Sequence, residues 1–355
     1  MKKTKLLIII AMVLIFLVVI LPFGASILVY NQFFGVRYTT NETLAYHLED
    51  YPGLKRIAYP FPSDRGQTLA GYLYYTEDCS PRGIVVIAHG FGGGGHNSYM
   101  DCAYFFAQNG YYVFAYDATG NDESEGSGVG GLPQGVIDLD YALDFIAQQE
   151  ELKELPVMLF GHSWGGYSVT GVLTYHPEVN AVVSFSGFNR SSDLVLSQGT
   201  MMVGAGTALL MPYINVYEWL KFGDYATNTA MDGFKNSDTA VFIVHSEDDH
   251  TVFQEHGYDI YYEAYQNDPR FTFVHFTDKG HNYVYYSQEA IDYINSFNEE
   301  YALWKETWPE DLSYDEQVQR KADYLKENLD RSIWSYPIDE KLFTQILAFY
   351  DATLS

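Results

Sequence analysis

Short apolar runs alternate with amphipathic stretches through most of the chain after residue 80. The apolar runs have the length of strands buried on both faces, and they cover residues 84–88, 112–116, 157–160, 181–185, 240–244 and 271–276. Helical periodicity fills most of the gaps, at residues 98–109, 135–149, 164–175 and 255–266. Two earlier strands, 56–61 and 69–75, flank a turn at residues 63–66. This alternation predicts an α/β protein with a mostly parallel, doubly wound sheet.

The N-terminus carries a long uncharged apolar run, from residue 6 to about residue 30, directly after three lysines. About 20 apolar residues span a bilayer, whereas the apolar core of a secretory signal has roughly 7–15. We therefore expect residues 1–30 to be an uncleaved membrane anchor. The lysines should stay in the cytoplasm, which places the rest of the chain outside the cell. Because residues 24–26 resemble a cleavage site, a protein secreted after signal cleavage is the alternative.

The remaining chain divides into a short connection and one large domain. Residues 31–54 are expected to form a stalk or a first helix, and residues 55–355 the domain. The connection between strands 181–185 and 240–244 is far longer than one crossover helix needs, which predicts an inserted helical lid at about 188–236. Aromatic and aliphatic positions at helical spacing predict a C-terminal helical extension at about 299–355.

Charge and cysteine content exclude several functions. The formal net charge is −26, and a surface this negative repels phosphate backbones, so no nucleic-acid partner is expected. The two cysteines, Cys79 and Cys102, form no metal-ligand pattern, and a disulfide between them stays open. His245, His250 and His256 do not have the spacing of a ligand set either, so no metal is predicted.

The sequence Gly161-His162-Ser163-Trp164-Gly165 fits the pattern G-x-S-x-G, in which a serine nucleophile sits on a turn from strand to helix. Glycines flank the serine because larger side chains would collide in so sharp a turn. The helix that follows directs its positive N-terminal end at Ser163, which favours developing negative charge. The sequence His89-Gly90-Phe91-Gly92-Gly93 follows strand 84–88. The backbone amides of Phe91 and Trp164 are the predicted oxyanion donors.

A serine hydroxyl needs a base that takes its proton, and the base needs a carboxylate that orients it. Strand 271–276 leads into Gly280-His281, and strand 240–244 leads into the adjacent pair Asp248 and Asp249. Both segments leave the sheet at the same edge as Ser163. His281 is therefore the predicted base, and the aspartate pair supplies the orienting carboxylate.

Together these motifs resemble the α/β-hydrolase superfamily, in particular bacterial serine hydrolases related to monoacylglycerol lipases and serine aminopeptidases. The resemblance covers roughly residues 55–300. It implies a Ser-His-Asp triad and no cofactor. In such proteins the acid follows its strand in the pattern H-G-x-x-D-x-x-V, and the match to residues 245–252, with Ser246 in the glycine position, places the acid at Asp249.

The chain departs from these proteins in one loop. Relatives often read D-x-R-G-x-G-x-S where this chain reads Asp117-Ala118-Thr119-Gly120-Asn121-Asp122-Glu123-Ser124. Thr119 replaces a basic residue, and Asp122 replaces a glycine. The loop beside the expected active site is therefore more acidic than in the relatives.

Three functions compete. The favoured one is hydrolysis of a carboxylic ester, esterase-like or lipase-like, through an acyl-enzyme on Ser163. A serine peptidase or aminopeptidase acting on peptides or amides is the alternative, and a non-enzymatic surface binding protein is disfavoured by the complete set of triad residues. The lid favours esters, because residues 200–220 are rich in Met and Leu, whereas the carboxylates that could hold a substrate ammonium are widely spaced. Those carboxylates are Asp193, Glu218 and Asp224.

Overall fold

The computed structural model describes residues 2–77 and 80–354. Its strands, in chain order, are β1 (Leu54–Ala58), β2 (Phe61–Pro62), β3 (Thr68–Leu69), β4 (Gly71–Thr76), β5 (Ile84–Ala88), β6 (Tyr112–Tyr116), β7 (Val157–His162), β8 (Ala181–Phe185), β9 (Ala240–Ser246) and β10 (Phe271–Phe276). Cys79, one of the two cysteines considered for a disulfide, lies outside the described residues, and Cys102 is buried.

The strands form one eight-stranded sheet in the order β1-β4-β6-β5-β7-β8-β9-β10, beside a two-stranded ribbon of β2 and β3. β1 and β4 pair antiparallel, as do β4 and β6, and every other pair in the large sheet is parallel. The predicted mostly parallel sheet is thus confirmed. The single strand expected at 56–61 is wrong: Pro60, which has no N–H for a ladder, separates β1 from the ribbon.

Helices cover both faces of the sheet. In chain order they are α1 (Lys2–Ile15), α2 (Leu21–Phe34), α3 (Met100–Gln108), α4 (Pro133–Ala147), α5 (Trp164–Gly171), α6 (Ser191–Val203), α7 (Thr207–Phe222), α8 (Ala230–Asn236), α9 (Tyr258–Tyr265), α10 (Gln288–Lys305), α11 (Tyr314–Asn328), α12 (Arg331–Trp334) and α13 (Glu340–Asp351). The residues of β5 alternate between two cores. One core includes side chains of α4, α5, α8 and α9, and the other includes those of α3 and α13.

The C-terminal helix α13 is built into the second core. Phe343 packs its ring 5.8 Å from that of Phe160 in β7, and Ile346 is fully buried. The hydroxyl of Tyr350 donates a 2.7 Å hydrogen bond to the carbonyl of Leu159. The end of the chain therefore supports the strand that leads to Ser163.

A π-helical turn joins α1 and α2, so that Lys3–Phe34 is one continuous helix. Among the described residues, it is the helix long and apolar enough to cross a membrane. The helix continues past residue 30, where the anchor was expected to end. The residues after it, expected as a stalk, lie against the domain: Tyr38 forms a β-bridge with Asn121.

Candidate active site

Ser163 occupies a strained turn between β7 and α5, with φ 58° and ψ −115°. A Cβ atom at Gly161 would lie 2.3 Å from the carbonyl oxygen of Gly165. A Cβ atom at Gly165 would lie 1.9 Å from the carbonyl oxygen of Ala88. Both contacts are far inside van der Waals distance, so the turn requires glycine at these two positions.

The structure brings the predicted nucleophile, base and acid into one hydrogen-bonded chain. The Oγ of Ser163 lies 2.8 Å from Nε2 of His281, and Nδ1 of His281 lies 2.7 Å from Oδ2 of Asp249. Because the carboxylate can only accept, Nδ1 carries the proton, and Nε2 is left to accept the serine hydroxyl proton. The loops after β7, β9 and β10 supply the three residues from one edge of the sheet.

Asp249 is held as a carboxylate by its surroundings. Its Oδ1 accepts hydrogen bonds from the amides of Thr251 and Val252, both at 2.8 Å. Burial alone would raise the pKa of Asp249, but the hydrogen bond from His281, the charge of His281 and the Val252 amide hold that pKa below its ordinary value. An ionised Asp249 can therefore orient His281 and stabilise its protonated form.

The neighbouring Asp248 has different partners. Its Oδ1 accepts hydrogen bonds from the hydroxyl of Ser246 at 2.6 Å and from the amide of Gly280 at 2.8 Å. Gly280 has a φ of 57°, in the left-handed region. Asp248 thus holds the backbone next to His281 and does not touch the imidazole.

The two residues whose backbone amides are the predicted oxyanion donors are neighbours, with the rings of Phe91 and Trp164 edge to face at a centroid distance of 5.6 Å. Within the described part of the chain, the backbone N–H of neither residue donates a hydrogen bond. The adjacent amide of Gly90 is occupied, because it donates to the hydroxyl of Tyr99 at 3.0 Å. Both amides are thus open to an oxygen of a bound ligand.

His162 is a member of the site that sequence reasoning missed, since its only signal was its place beside Ser163. Its Nε2 lies 2.9 Å from the carbonyl oxygen of His281, and its Nδ1 lies 3.0 Å from the hydroxyl of Tyr99. Burial, together with the nearby charge of His281, lowers the pKa of His162 to about 3. The ring is therefore neutral, and Nε2 donates to the carbonyl.

A cavity of 680 Å³ opens at Ser163 and His281. Its apolar lining comes from the N-terminal helix, residues 89–95 after β5 (the glycine-rich loop), the loop after β8, helices α6 and α7, and the loop after β10. It includes Phe34, Phe91, Phe188, Leu194, Met202, Leu210, Ile214 and Tyr285. No aspartate or glutamate is among the described residues that line it. Of the histidines considered for a metal, His245 directs Nε2 at the carbonyl oxygen of Val252, 2.9 Å away.

A comparison with protein families gives a match over part of the chain. Residues 79–240 match a family described as serine aminopeptidase S33, a segment that contains Ser163 and ends before Asp249 and His281. No curated protein matches the sequence significantly.

Several solved structures have the same fold. An esterase from Pyrococcus furiosus aligns with 82% of this chain and 97% of its own, at 17% identity and a TM-score of 0.53. An acetyl xylan esterase from a Paenibacillus species aligns with 72% of this chain and 87% of its own, at 16% identity and a TM-score of 0.50. The sheet order, the turn at Ser163 and these matches show that the chain has the α/β-hydrolase fold.

Proposed function

We propose that this chain is a serine hydrolase that cleaves a carboxylic ester through Ser163, His281 and Asp249. The observation that carries the proposal is the hydrogen-bonded chain from the Ser163 hydroxyl through His281 to Asp249, at 2.8 and 2.7 Å. A nucleophile, a base within hydrogen-bond reach and a carboxylate that orients the base are what acyl transfer needs.

In the proposed mechanism, Ser163 attacks the ester carbonyl while Nε2 of His281 takes the hydroxyl proton. The negative oxygen of the tetrahedral intermediate is received by the amides of Phe91 and Trp164. Each such donor contributes about 3–4 kcal/mol of transition-state stabilisation in related chemistry. His281 then gives its proton to the departing alcohol. In the second half of the reaction, His281 takes a proton from water, which attacks the acyl carbonyl, and then returns that proton to the oxygen of Ser163 as the carboxylic acid leaves.

The cavity supports esters with an apolar acyl group. Apolar side chains surround Ser163, and an aminopeptidase would need a carboxylate in that lining to bind the substrate ammonium. The lid carboxylates considered for that role have other partners or positions. Glu218 is buried and accepts hydrogen bonds from Tyr30 and Ser191, and Asp193 pairs with Arg190 at 3.5 Å. Asp224 does not line the cavity.

A peptidase is the second candidate, and the match of residues 79–240 to the serine aminopeptidase description favours it. An acylaminoacyl peptidase also shares the fold, with 16% identity over 65% of this chain and 38% of its own, at a TM-score of 0.50. Peptidases of that kind would use the same three residues, so the choice of substrate needs an experiment.

The test is a panel of p-nitrophenyl esters of graded acyl length run beside aminoacyl p-nitroanilides, using the full-length protein. We expect turnover of the esters and labelling by a fluorophosphonate probe, both lost in Ser163→Ala. Loss of a triad member costs on the order of 10⁴–10⁶ in rate. Faster turnover of the anilides than of every ester would favour the peptidase, and an unlabelled wild-type protein would refute a serine hydrolase altogether.

We also propose that the N-terminal helix is an uncleaved anchor and that the domain lies outside the cell. Ser26 is fully buried, so cleavage after residue 26 would remove a buried residue and leave Tyr30 at the fourth position of a new N-terminus. Membrane fractionation should recover the full-length protein. In a separate experiment, protease added to intact cells should degrade the domain. Soluble protein that begins near Ile27 would instead show a cleaved signal.

A further inference from the structure

The second half of the N-terminal helix contributes directly to the cavity that holds Ser163. Val29, Tyr30, Phe33 and Phe34 are among its lining residues. The first half of the same helix presents exposed apolar side chains from Leu6 to Leu21. The first half of this helix is therefore suited to contact lipid, and its second half forms part of the candidate active site.

A buried polar contact fixes this helix to α7, which with α6 and α8 forms the insertion between β8 and β9 that we call the lid. The hydroxyl of Tyr30 donates a 2.6 Å hydrogen bond to Oε1 of Glu218 in α7, and the hydroxyl of Ser191 donates to both carboxyl oxygens at 2.9 and 3.1 Å. Glu218 is only 1% exposed, and a buried carboxyl left without partners is costly. The helix and the lid therefore hold each other in place.

The end of the helix also packs on the glycine-rich loop. The ring of Phe34 lies 5.7 Å from that of Phe91, whose amide is a proposed oxyanion donor, and Phe91 in turn contacts Trp164. The helix thus contacts Phe91 directly, and only the ring of Phe91 separates it from Trp164, the second residue with a proposed donor amide.

Asp122, which stands where relatives have glycine, ties the segment after the helix to the same loop. Its carboxylate accepts hydrogen bonds from the amide and hydroxyl of Thr40, both at 2.6 Å, and from the amide of Gly95 at 2.7 Å. A glycine at this position could make none of these contacts. The departure from the relatives' pattern is therefore explained by the docking of the N-terminal segment.

The lid presents an apolar surface beside the exposed half of the helix. Leu209, Val216 and Leu220 follow one face of α7 and are 50–77% exposed. On the same face, the hydroxyl of Tyr213 donates to the carbonyl of Val18, in the middle of the N-terminal helix. The outer face of the lid is thus continuous with the surface that a bilayer would cover.

We propose that the N-terminal helix is a wall of the acyl-binding cavity as well as an anchor, and that the cavity takes its substrates from the bilayer. The proposal rests on the proposed ester hydrolase function and names its substrate class, the long-chain acyl esters of membrane lipids. Such substrates are already concentrated where α7 and the helix meet the membrane. The acyl chain would lie along Val29 and Phe33, with its ester carbonyl at Ser163.

The wall is tested by a pair of neighbouring substitutions in full-length protein reconstituted into phosphatidylcholine vesicles. Val29→Trp adds bulk to the cavity lining, whereas the control Leu28→Trp changes a side chain that is 75% exposed and outside the lining. We expect Val29→Trp to lower kcat/KM for p-nitrophenyl dodecanoate at least about tenfold relative to butanoate. Leu28→Trp should keep the wild-type ratio.

The outcomes separate the two proposals. Wild-type protein that hydrolyses neither ester would overturn the ester hydrolase and the wall together. Active wild type with the same dodecanoate-to-butanoate ratio in Val29→Trp would overturn the wall alone. If Val29→Trp does not fold, Phe33→Ala provides the opposite test, since removing bulk from the lining should raise the relative rate for hexadecanoate, and an unchanged ratio counts against the wall.

Access from the bilayer is tested on α7. Leu209→Glu places a charge on the lid face proposed to meet lipid, and Val318→Glu does so on α11, where the side chain is also exposed. With a fluorogenic long-chain ester embedded in the vesicles, Leu209→Glu should lower hydrolysis of that ester at least about tenfold relative to a soluble butanoate. An unchanged ratio, or an equal loss in Val318→Glu, would refute entry from the bilayer.

Discussion

The Nε2 atom of His162 lies 2.9 Å from the carbonyl oxygen of His281, so the residue before the candidate nucleophile holds the backbone of the candidate base. The same ring accepts a hydrogen bond from Tyr99, whose oxygen accepts the amide of Gly90. One neutral imidazole thereby connects the loop of the proposed oxyanion donors to the loop of the base. His162 touches neither Ser163 Oγ nor the His281 ring by hydrogen bond, so its role is positioning.

This connection predicts different outcomes for two substitutions of His162. His162→Leu removes the donor to His281 and should lower kcat about 10–100-fold with little change in KM, since misplacement by about 1 Å costs that much. His162→Gln can present an amide nitrogen near the position of Nε2 and should retain most of the activity. Equal losses in the two variants, with thermal stability matched, would contradict a positioning role.

The adjacent aspartates are predicted to differ sharply in importance. Asp249→Asn should lower turnover by about 10⁴, because an amide in this place favours the wrong tautomer of His281. Asp248→Asn weakens contacts to Ser246 and Gly280 and should cost about tenfold or less. The comparison is kcat for both variants with folding checked by circular dichroism, and an inactive Asp248→Asn beside an active Asp249→Asn would reverse the assignment.

The lid is predicted to sense the length of the acyl group. Met202 and Leu210 line the cavity, whereas Met201, beside Met202 in α6, does not. Met202→Ser and Leu210→Ser should lower kcat/KM for long esters roughly 10–100-fold relative to short ones, as expected for polar groups in an apolar pocket. Met201→Ser is the matched control. Rates for long esters that stay unchanged in both lining variants would show that these side chains only pack the lid.

A buried carboxyl away from the active site gives the protein a specific pH dependence. Asp101 is fully buried, its Oδ2 has no hydrogen-bond partner among the described residues, and burial raises its pKa to about 7. The folded state thus keeps a proton that the unfolded state loses near pH 4. The contribution of Asp101 to the free energy of unfolding is therefore fully present below its pKa in the unfolded state, and it is lost as pH rises through its pKa in the folded state.

Between pH 5 and pH 8 this group should remove roughly 3 kcal/mol of unfolding free energy. Asp101→Asn has no proton to lose and should flatten the dependence. Asp144→Asn, which changes an exposed carboxylate on α4, should leave it as in the wild type. Urea unfolding at pH 5 and at pH 8 measures how much the unfolding free energy of each protein changes between the two pH values. An equal change in Asp101→Asn and in the wild type would rule this account out.

The parts of the molecule that follow from local pattern were predictable. Strands 84–88, 112–116, 181–185 and 271–276 were predicted with the bounds that the structure has. The first three are almost entirely apolar, as is typical of buried parallel strands, whereas strand 271–276 lies at the edge of the sheet and carries the exposed Thr272 and His275. The geometry around Ser163 also has a local signal, since its two glycines are required by contacts within the turn. Motif order along the chain then indicated which loops bring Asp249 and His281 to it.

Contacts between distant segments had no such signal. The link from His162 to His281 depends on how two loops approach, and neither residue type indicates it. The N-terminal helix reads as a uniform apolar run, which predicts its affinity for lipid but not the burial of Tyr30 against Glu218. The sequence marks Asp122 only as an unusual residue, and its contacts with Thr40 and Gly95 depend on the tertiary structure alone.

The hydrogen bond from Tyr30 to Glu218 joins positions 188 residues apart in the chain. Ribosomes add about 5–20 residues per second, so Tyr30 is made roughly 10–40 s before Glu218. Throughout that interval one side of the cavity exists without the other. Contacts this distant in sequence also form late in folding, because a long stretch of chain must be ordered first. The nascent chain therefore cannot enclose an acyl group before the lid is made. Under the proposed function, hydrolysis starts later still, because Asp249 and His281 are synthesised after the lid.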